Sequence, residues 1–427
     1  MKLNEVKASI LGDKIDGTLV SLYGESKLDA AKARYLSAVD SFEKLYGGER
    51  EISLFSVAGR SELSGNRTDH NYGKVIAASI DLDIIAVASP SEGSVIRVKS
   101  EGFPEDAVDF VKYSTPTEDK FGSSESIIAG MAAGIASKGY KVGGFDAYTT
   151  SSVLKGSGLS SSAAFEDMIG TILSHLYNGG EIDNVLIAKL SQYAENEFFG
   201  KPCGLMDQVA CAAGGIVSID FKDPAAPVIE KLDFDITKAG YNLCIVNTGG
   251  NHADLTGDYA SVPTEMKSVA AFFGKKVLRE LTAEQIVAAI PALREKVGDR
   301  AILRALHFFN ENKRVDGQVA ALKAGDIDGF FDGVIASGRS SFCYLQNVYT
   351  TKNVSEQGLS LALCLADGYL SGKKGAFRVH GGGFAGTIQA FVPSDEVEGF
   401  RALMDGAFGK DACLVLRVRR DGAIKVL

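Results

Sequence analysis

Between residues 145 and 176 the chain passes from a β-prone run, through Lys155-Gly156-Ser157-Gly158-Leu159-Ser160-Ser161-Ser162, into a stretch where Phe165, Met168, Ile169, Ile172, Leu173 and Leu176 recur at helical spacing. The order is strand, glycine- and serine-rich loop, helix. A helix with such an apolar stripe must bury it against a sheet or another helix, so a layered fold with both α and β structure follows. The loop sits where a helix begins, and there the free backbone N–H groups and the positive end of the helix dipole attract anions. Its glycines permit close backbone approach, and its serine hydroxyls can donate to phosphate oxygens or ligate a divalent cation. The same residues also describe a serine-capped helix after a flexible turn. The spacing is not that of GxxxxGK[ST], and a dinucleotide fingerprint needs glycine where Ser161 stands.

Other segments repeat the mixture. Helices are expected at residues 26–46, 184–199, 283–290 and 301–310, and strands at 52–58, 74–89, 215–221, 243–247 and 387–392. With 427 residues the chain exceeds the size at which one core stops growing, so two domains are expected. No proline-rich, Gly/Ser-rich or single-sign charged linker separates them, which implies an intimate interface. The 45 Lys and Arg against 54 Asp and Glu give a net charge of -9, which offers no global attraction for nucleic acid or an anionic membrane, so a phosphate site must be local. The first nine residues carry charges where a signal peptide needs an apolar centre, and no apolar run reaches membrane-spanning length, so a cytoplasmic protein is expected. The six cysteines form no CxxC pair and are expected to be reduced.

Two further segments can carry chemistry. Gly381-Gly382-Gly383-Phe384-Ala385-Gly386 precedes the strand-like run 387–392 and reads either as a tight turn or as a backbone cradle. Gly204-Leu205-Met206-Asp207-Gln208 sets one carboxylate among apolar neighbours, as a helix cap or as an acid/base group with a shifted pKa.

Taken together and in order, these segments resemble the galactokinase family of the GHMP kinases. KGSGLSSSAAFE is similar to the family's phosphate loop, CGLMDQVACAAGG to its catalytic-aspartate segment, RVHGGGFAGTIQAF to its third motif, and VAGRSELSGNRTDHNYGKVIAASI, from Val57, to its sugar signature. The resemblance implies an α+β, two-lobed fold with the active site between an N-terminal lobe, residues 1–220, and a C-terminal lobe, residues 221–427. It implies transfer of the ATP γ-phosphoryl group, with Mg²⁺, to the anomeric hydroxyl of a small sugar by a protein expected to be monomeric. By motif position Asp207 and Arg60 are catalytic; Asn66, Arg67, Asp69 and Tyr259 bind sugar; Gly156, Ser157, Gly158, Leu159, Ser160, Ser161 and Ser162 hold phosphates; and Ser161, Ser162 and Glu195 ligate the metal.

The pattern is broken in the sugar signature and again after Tyr259. The family reads GRxNLxGEHTDYN, whereas here Asn66-Arg67 replace the Glu-His pair, and after Tyr259 a basic pair gives way to Val262-Pro263. An arginine at position 67 suits a C6 carboxylate through paired charge-assisted hydrogen bonds, so a galacturonate-type kinase is an alternative to galactose. A sugar and ATP sensor without turnover is the other; the intact Arg60, Asp207 and GLSSSAA favour the enzyme.

Overall fold

The apolar run from residue 74 onward becomes the strand around which the fold is organised. In the computed structural model, which describes residues 1–153, 158–250 and 255–427, the strands are β1 (Ser53–Ser64), β2 (Lys74–Pro90), β3 (Val95–Ser100), β4 (Glu105–Asp109), β5 (Phe145–Ser151), β6 (Ile216–Asp220), β7 (Val228–Leu232), β8 (Tyr241–Asn247), β9 (Ala376–Val379), β10 (Thr387–Pro393), β11 (Cys413–Leu416) and β12 (Ala423–Lys425). The 17-residue β2 pairs with β1 along one edge and, along the other, with β6 by its first half and β5 by its second. The larger sheet runs β12-β1-β2-β5-β3-β4 with β6 and β7 branching from β2, and within it only β3 and β5 are parallel. The smaller sheet, β11-β8-β10-β9, is antiparallel throughout. Strands β7 and β12, both beyond residue 220, thus belong to the sheet built from the N-terminal half.

Alternation along β1 and β2 sends side chains to two different cores, as a two-residue period requires. Phe55, Val57 and Ala86 pack with Met131, Met168, Ile172 and Val209 of the helices on one face. Leu54, Ile85 and Val87 pack with Leu19, Tyr35 and Phe42 of the N-terminal helices Leu3–Leu11, Asp16–Tyr23 and Leu28–Tyr46 on the other. Coverage of both faces explains why β2 reads as nearly continuous hydrophobic sequence. Leu63, Ile76 and Ile80 meet Leu243, Ile245, Phe330 and Phe391, so a third core joins the two sheets. Among the described residues no helix is long and apolar enough to cross a membrane.

Two elements extend well past the expected limits, for the same reason. The helix expected at 301–310 is Asp299–Ala324, and β1, expected to end at residue 58, runs to Ser64. Their continuations bury polar side chains that break the hydrophobic period: Glu311 and Gln318 on the helix, and Arg60, Ser61, Glu62 and Ser64 on the strand. Ser64 donates to Gln318, and Ser337 donates to Glu311. Buried polar groups are tolerated when they partner one another. The helix expected over 184–199 is α-helical to Tyr193 and continues as a π-helical turn, Ala194–Phe198.

Asp83, where β2 passes from one partner strand to the next, ties the chain ends to the centre of the larger sheet. It is fully buried and accepts hydrogen bonds from Tyr23, Ser56, Arg34 and Arg419. Burial pushes its carboxyl up, but the two guanidinium groups and the two hydroxyls overcome this and hold it below the ordinary carboxylate range. Its contribution is therefore present above about pH 4, the unfolded value, and is lost as pH falls through the lower folded value. Asp83→Ala leaves Arg419 buried without its counter-charge and is expected to cost about 3–5 kcal/mol, read as a fall in the urea midpoint at pH 7.

Candidate active site

The end of the phosphate-type loop is clamped directly onto β1. The backbone N–H of Arg60 donates to the Leu159 carbonyl at 3.1 Å, and a Cβ at Gly59 would lie 2.9 Å from that oxygen, so only glycine admits the approach. The register between β1 and β2 shifts between Ala58 and Arg60, and irregularities of this kind re-aim side chains beside active sites. Arg60 uses the whole guanidinium. Its Nε and Nη2 donate to Asp207 Oδ1 and Oδ2 at 2.8 and 2.7 Å, and its Nη1 donates to the Gly158 carbonyl.

Asp207 occupies the first turn of the helix Met206–Ala213, where the dipole favours a negative charge. A third hydrogen bond reaches it from the Ser160 hydroxyl. Ser160 adopts the left-handed region (φ 57°) immediately before the helix Ser161–Tyr177 and, with its hydroxyl on Asp207, does not cap that helix. Burial alone pushes the Asp207 carboxyl up; Arg60 and Ser160 bring it below its usual range. The side chain nonetheless keeps 34% exposure, against 11% for Arg60. The result is an ionised carboxylate, fixed in orientation and open to a ligand.

Asp69 begins a 3₁₀ turn, Asp69–Asn71, and its Oδ2 lies where a Cβ on Gly204 would come within 2.9 Å. This brings the sugar-signature loop against the Gly204-to-Gln208 segment, and burial raises the Asp69 carboxyl above its usual range. Arg67, in the same loop, donates to the Tyr259 carbonyl at 2.9 Å. Tyr259, in the first turn of the helix Thr256–Phe272, donates its hydroxyl to the Gly383 carbonyl at 2.9 Å and sets its ring edge-on to Phe384. The third glycine segment therefore contacts the sugar-signature side through Tyr259. Gly158 and Leu159 lie at the site as described, Ser161 and Ser162 open the following helix, and Gly156 and Ser157 lie outside the described residues.

Asn66 is placed differently from the expectation. It is fully buried, and its amide donates to Glu62 and to the Gly381 carbonyl and accepts from Ser341 and Asn347. These contacts hold the loop and leave the amide no face towards the cleft. Glu62 stands at the asparagine of the family pattern and Asn66 at its glutamate, so the carboxylate and the amide have exchanged positions and still touch, at 3.2 Å. The displaced carboxylate is neutralised by the buried Arg378 at 2.8 Å.

Glu195 lies in the π-helical turn with its Oε1 2.8 Å from Lys201 Nζ, while Gln208 Nε2 donates to both Glu195 and Glu166 at 3.0 and 3.1 Å. Burial, then the Glu195 carboxylate, pushes Glu166 up to about 8. The Gln208 Oε1 is buried and unpartnered among the described residues. Such a cluster of oxygen donors suits a hard cation. No group of three or more His, Cys, Asp or Glu side chains able to hold a metal ion occurs among the described residues. Sequence reasoning missed Ser160 as a partner of Asp207, and it also missed Glu166 and Lys201. For Glu166 the signal was available: with Asp167 it forms an acidic pair within the apolar stripe of its helix.

The family described as GHMP kinases N terminal domain matches residues 126–215, and the one described as galactokinase galactose-binding signature matches residues 40–90. The galactokinase of Streptomyces coelicolor is 30% identical over 86% of this chain and 92% of its own length; that of Glaesserella parasuis is 33% identical over 85% and 91%. The structure of Lactococcus lactis galactokinase complexed with galactose superposes with a TM-score of 0.75 at 24% identity, covering 92% of this chain and all of that one; a mevalonate kinase follows at 0.61 and 14%, covering 86% and 99%. The α+β GHMP fold, the order of the motifs and the identity across most of both lengths lead to one assignment: the chain belongs to the galactokinase family of the GHMP kinases and is an ATP-dependent sugar kinase.

Proposed function

We propose that the protein transfers the γ-phosphoryl group of ATP to the anomeric hydroxyl of galactose, with Asp207 and Arg60 as its catalytic pair. The observation that carries this reading is the forked Arg60–Asp207 contact joined to the loop through Gly158 and Ser160. An ionised, partly exposed carboxylate accepts the hydroxyl proton as the sugar oxygen bonds to phosphorus, while the bond from phosphorus to the β,γ-bridging oxygen breaks and ADP departs. Arg60 keeps Asp207 ionised and offsets charge on the transferring group. Asp69 and Tyr259 bound the sugar, and residues 156–162 cradle the phosphates.

Mg²⁺ would be held by Glu195 with the hydroxyls of Ser161 and Ser162, and it neutralises phosphate charge when bound. Lys201 occupies Glu195 and would have to yield it. Glu195→Gln is expected to raise the Mg²⁺ concentration for half-maximal activity by about 10-fold or more, and Mn²⁺ titration followed by electron paramagnetic resonance would show the same weakening without turnover.

Similarity to galactokinases across most of the chain favours galactose over the uronic-acid alternative, the Arg67 Nη2 already donates to the Tyr259 carbonyl, and the intact Arg60–Asp207 geometry argues against a sensor without turnover. A coupled assay with ATP and Mg²⁺ over galactose, galacturonate, arabinose, glucose and N-acetylated hexosamines tests the proposal. Galactose 1-phosphate as the main product is expected; galactose left untouched beside a turned-over galacturonate would overturn it.

A further inference from the structure

Two of the places where the chain leaves the family pattern, Arg67 and Pro263, meet at one backbone carbonyl. Pro263 lies inside the helix Thr256–Phe272, and proline has no N–H to give the carbonyl four residues earlier. That carbonyl belongs to Tyr259, and Arg67 Nη2 donates to it at 2.9 Å. Arg67 reaches across from a left-handed backbone (φ 61°), a conformation that non-glycine residues adopt only where the surroundings enforce it. Its Nη2 bond to this carbonyl leaves the Nε buried without a hydrogen-bond partner among the described residues, and its charge acts on the nearby Asp69 carboxyl. Val262, beside the half-buried proline, is fully buried with Met266, Ala305 and Phe308, an environment closed to an unpaired basic side chain at that position.

We propose that Arg67 and Pro263 are a matched pair that seats Tyr259: the proline frees the carbonyl, and the arginine takes it, fastening the start of this helix to the sugar-signature loop. Tyr259 is then held from two sides, at its carbonyl by Arg67 and at its hydroxyl by the Gly383 carbonyl. Both residues are positioning residues; neither touches the reacting atoms. The effect on catalysis rests on the reading that the cleft beside Asp69 and Tyr259 takes the sugar, whereas the pairing itself does not.

The test is a double-mutant cycle of Arg67→Met and Pro263→Ala, with Arg67→Lys as the conservative variant, measured by thermal unfolding and by initial rates on the sugar that the wild type uses. Arg67→Met removes this donor from the Tyr259 carbonyl and is expected to lower Tm by about 2 °C or more and to raise the sugar KM roughly 10-fold, with a much smaller change in kcat and in the KM for ATP. In Arg67→Met/Pro263→Ala the alanine N–H can close the helical bond, so Tm and part of the KM should return. Arg67→Lys, able to donate to one carbonyl, should fall between wild type and Arg67→Met. A Tm change in the double variant equal to the sum of the single changes would overturn the pairing. A sugar KM within about twofold of wild type in Arg67→Met would overturn the seating of Tyr259. A wild type that phosphorylates no sugar would defeat the proposed function instead, and the Tm cycle would still decide the pairing.

Discussion

Asp207→Asn is expected to lower kcat by about 10²–10⁴-fold, the usual worth of a general base, while ATP binding changes little. The substitution keeps the volume and one acceptor oxygen but removes the charge, so the fork from Arg60 loses one of its two acceptors and the sugar hydroxyl loses its proton acceptor. Ser160 can still donate to an amide oxygen, which keeps the loop near its place. Single-turnover rates with pre-bound ATP, alongside calorimetric titration with a non-hydrolysable analogue, separate the two effects. A variant with near wild-type kcat would remove Asp207 from the chemistry.

Arg60→Ala is expected to act on the same step and also on its pH dependence. The lost guanidinium lowers kcat by roughly 10²–10³-fold, in line with the removal of one preorganised donor at a site of developing charge. Burial opposes ionisation of Asp207, and Arg60 contributes most to overcoming it, so without Arg60 the carboxyl pKa moves upward. Because the base works deprotonated, the wild-type rate should persist on acidification until pH falls below the ordinary carboxylate range, and the acid limb of the Arg60→Ala profile should begin at higher pH. The change in kcat should exceed the change in the KM for ATP. An acid limb at the wild-type position would show that Arg60 does not hold Asp207 ionised.

Much of the site was legible because its parts are local. The loop before Ser161, the glycines at 381–383 and the acid at 207 each occupy a few consecutive residues, and their chemistry follows from small side chains at an element boundary. The helix at 161–177 was visible through its helical period, and the strands β2, β8 and β10 through their nearly continuous apolar runs. Reading failed where two distant segments satisfy one another. The long helix Asp299–Ala324 hid its second half behind Glu311 and Gln318, to which β1, its following loop and the helix Ile327–Ser340 bring partners.

Arg67 shows the same division. Sequence sets a cation at a position where the family pattern has histidine, and it sets a proline four residues after Tyr259. Taken one at a time, these suggest a carboxylate-reading arginine and an unexplained substitution. Residues 192 positions apart in the chain had to be brought together before the guanidinium found the carbonyl. The sequence by itself determined the layered α+β architecture, the order of the loops and the residue types available for phosphoryl transfer, because these depend on periodicity and local backbone geometry. Only the tertiary structure decided which donor meets which acceptor at the remaining contacts: Ser160 with Asp207, Arg378 with Glu62, and Arg67 with Tyr259. The physical reason is that hydrogen bonds and ion pairs are short-ranged and directional, so their partners are fixed by packing and not by spacing along the chain.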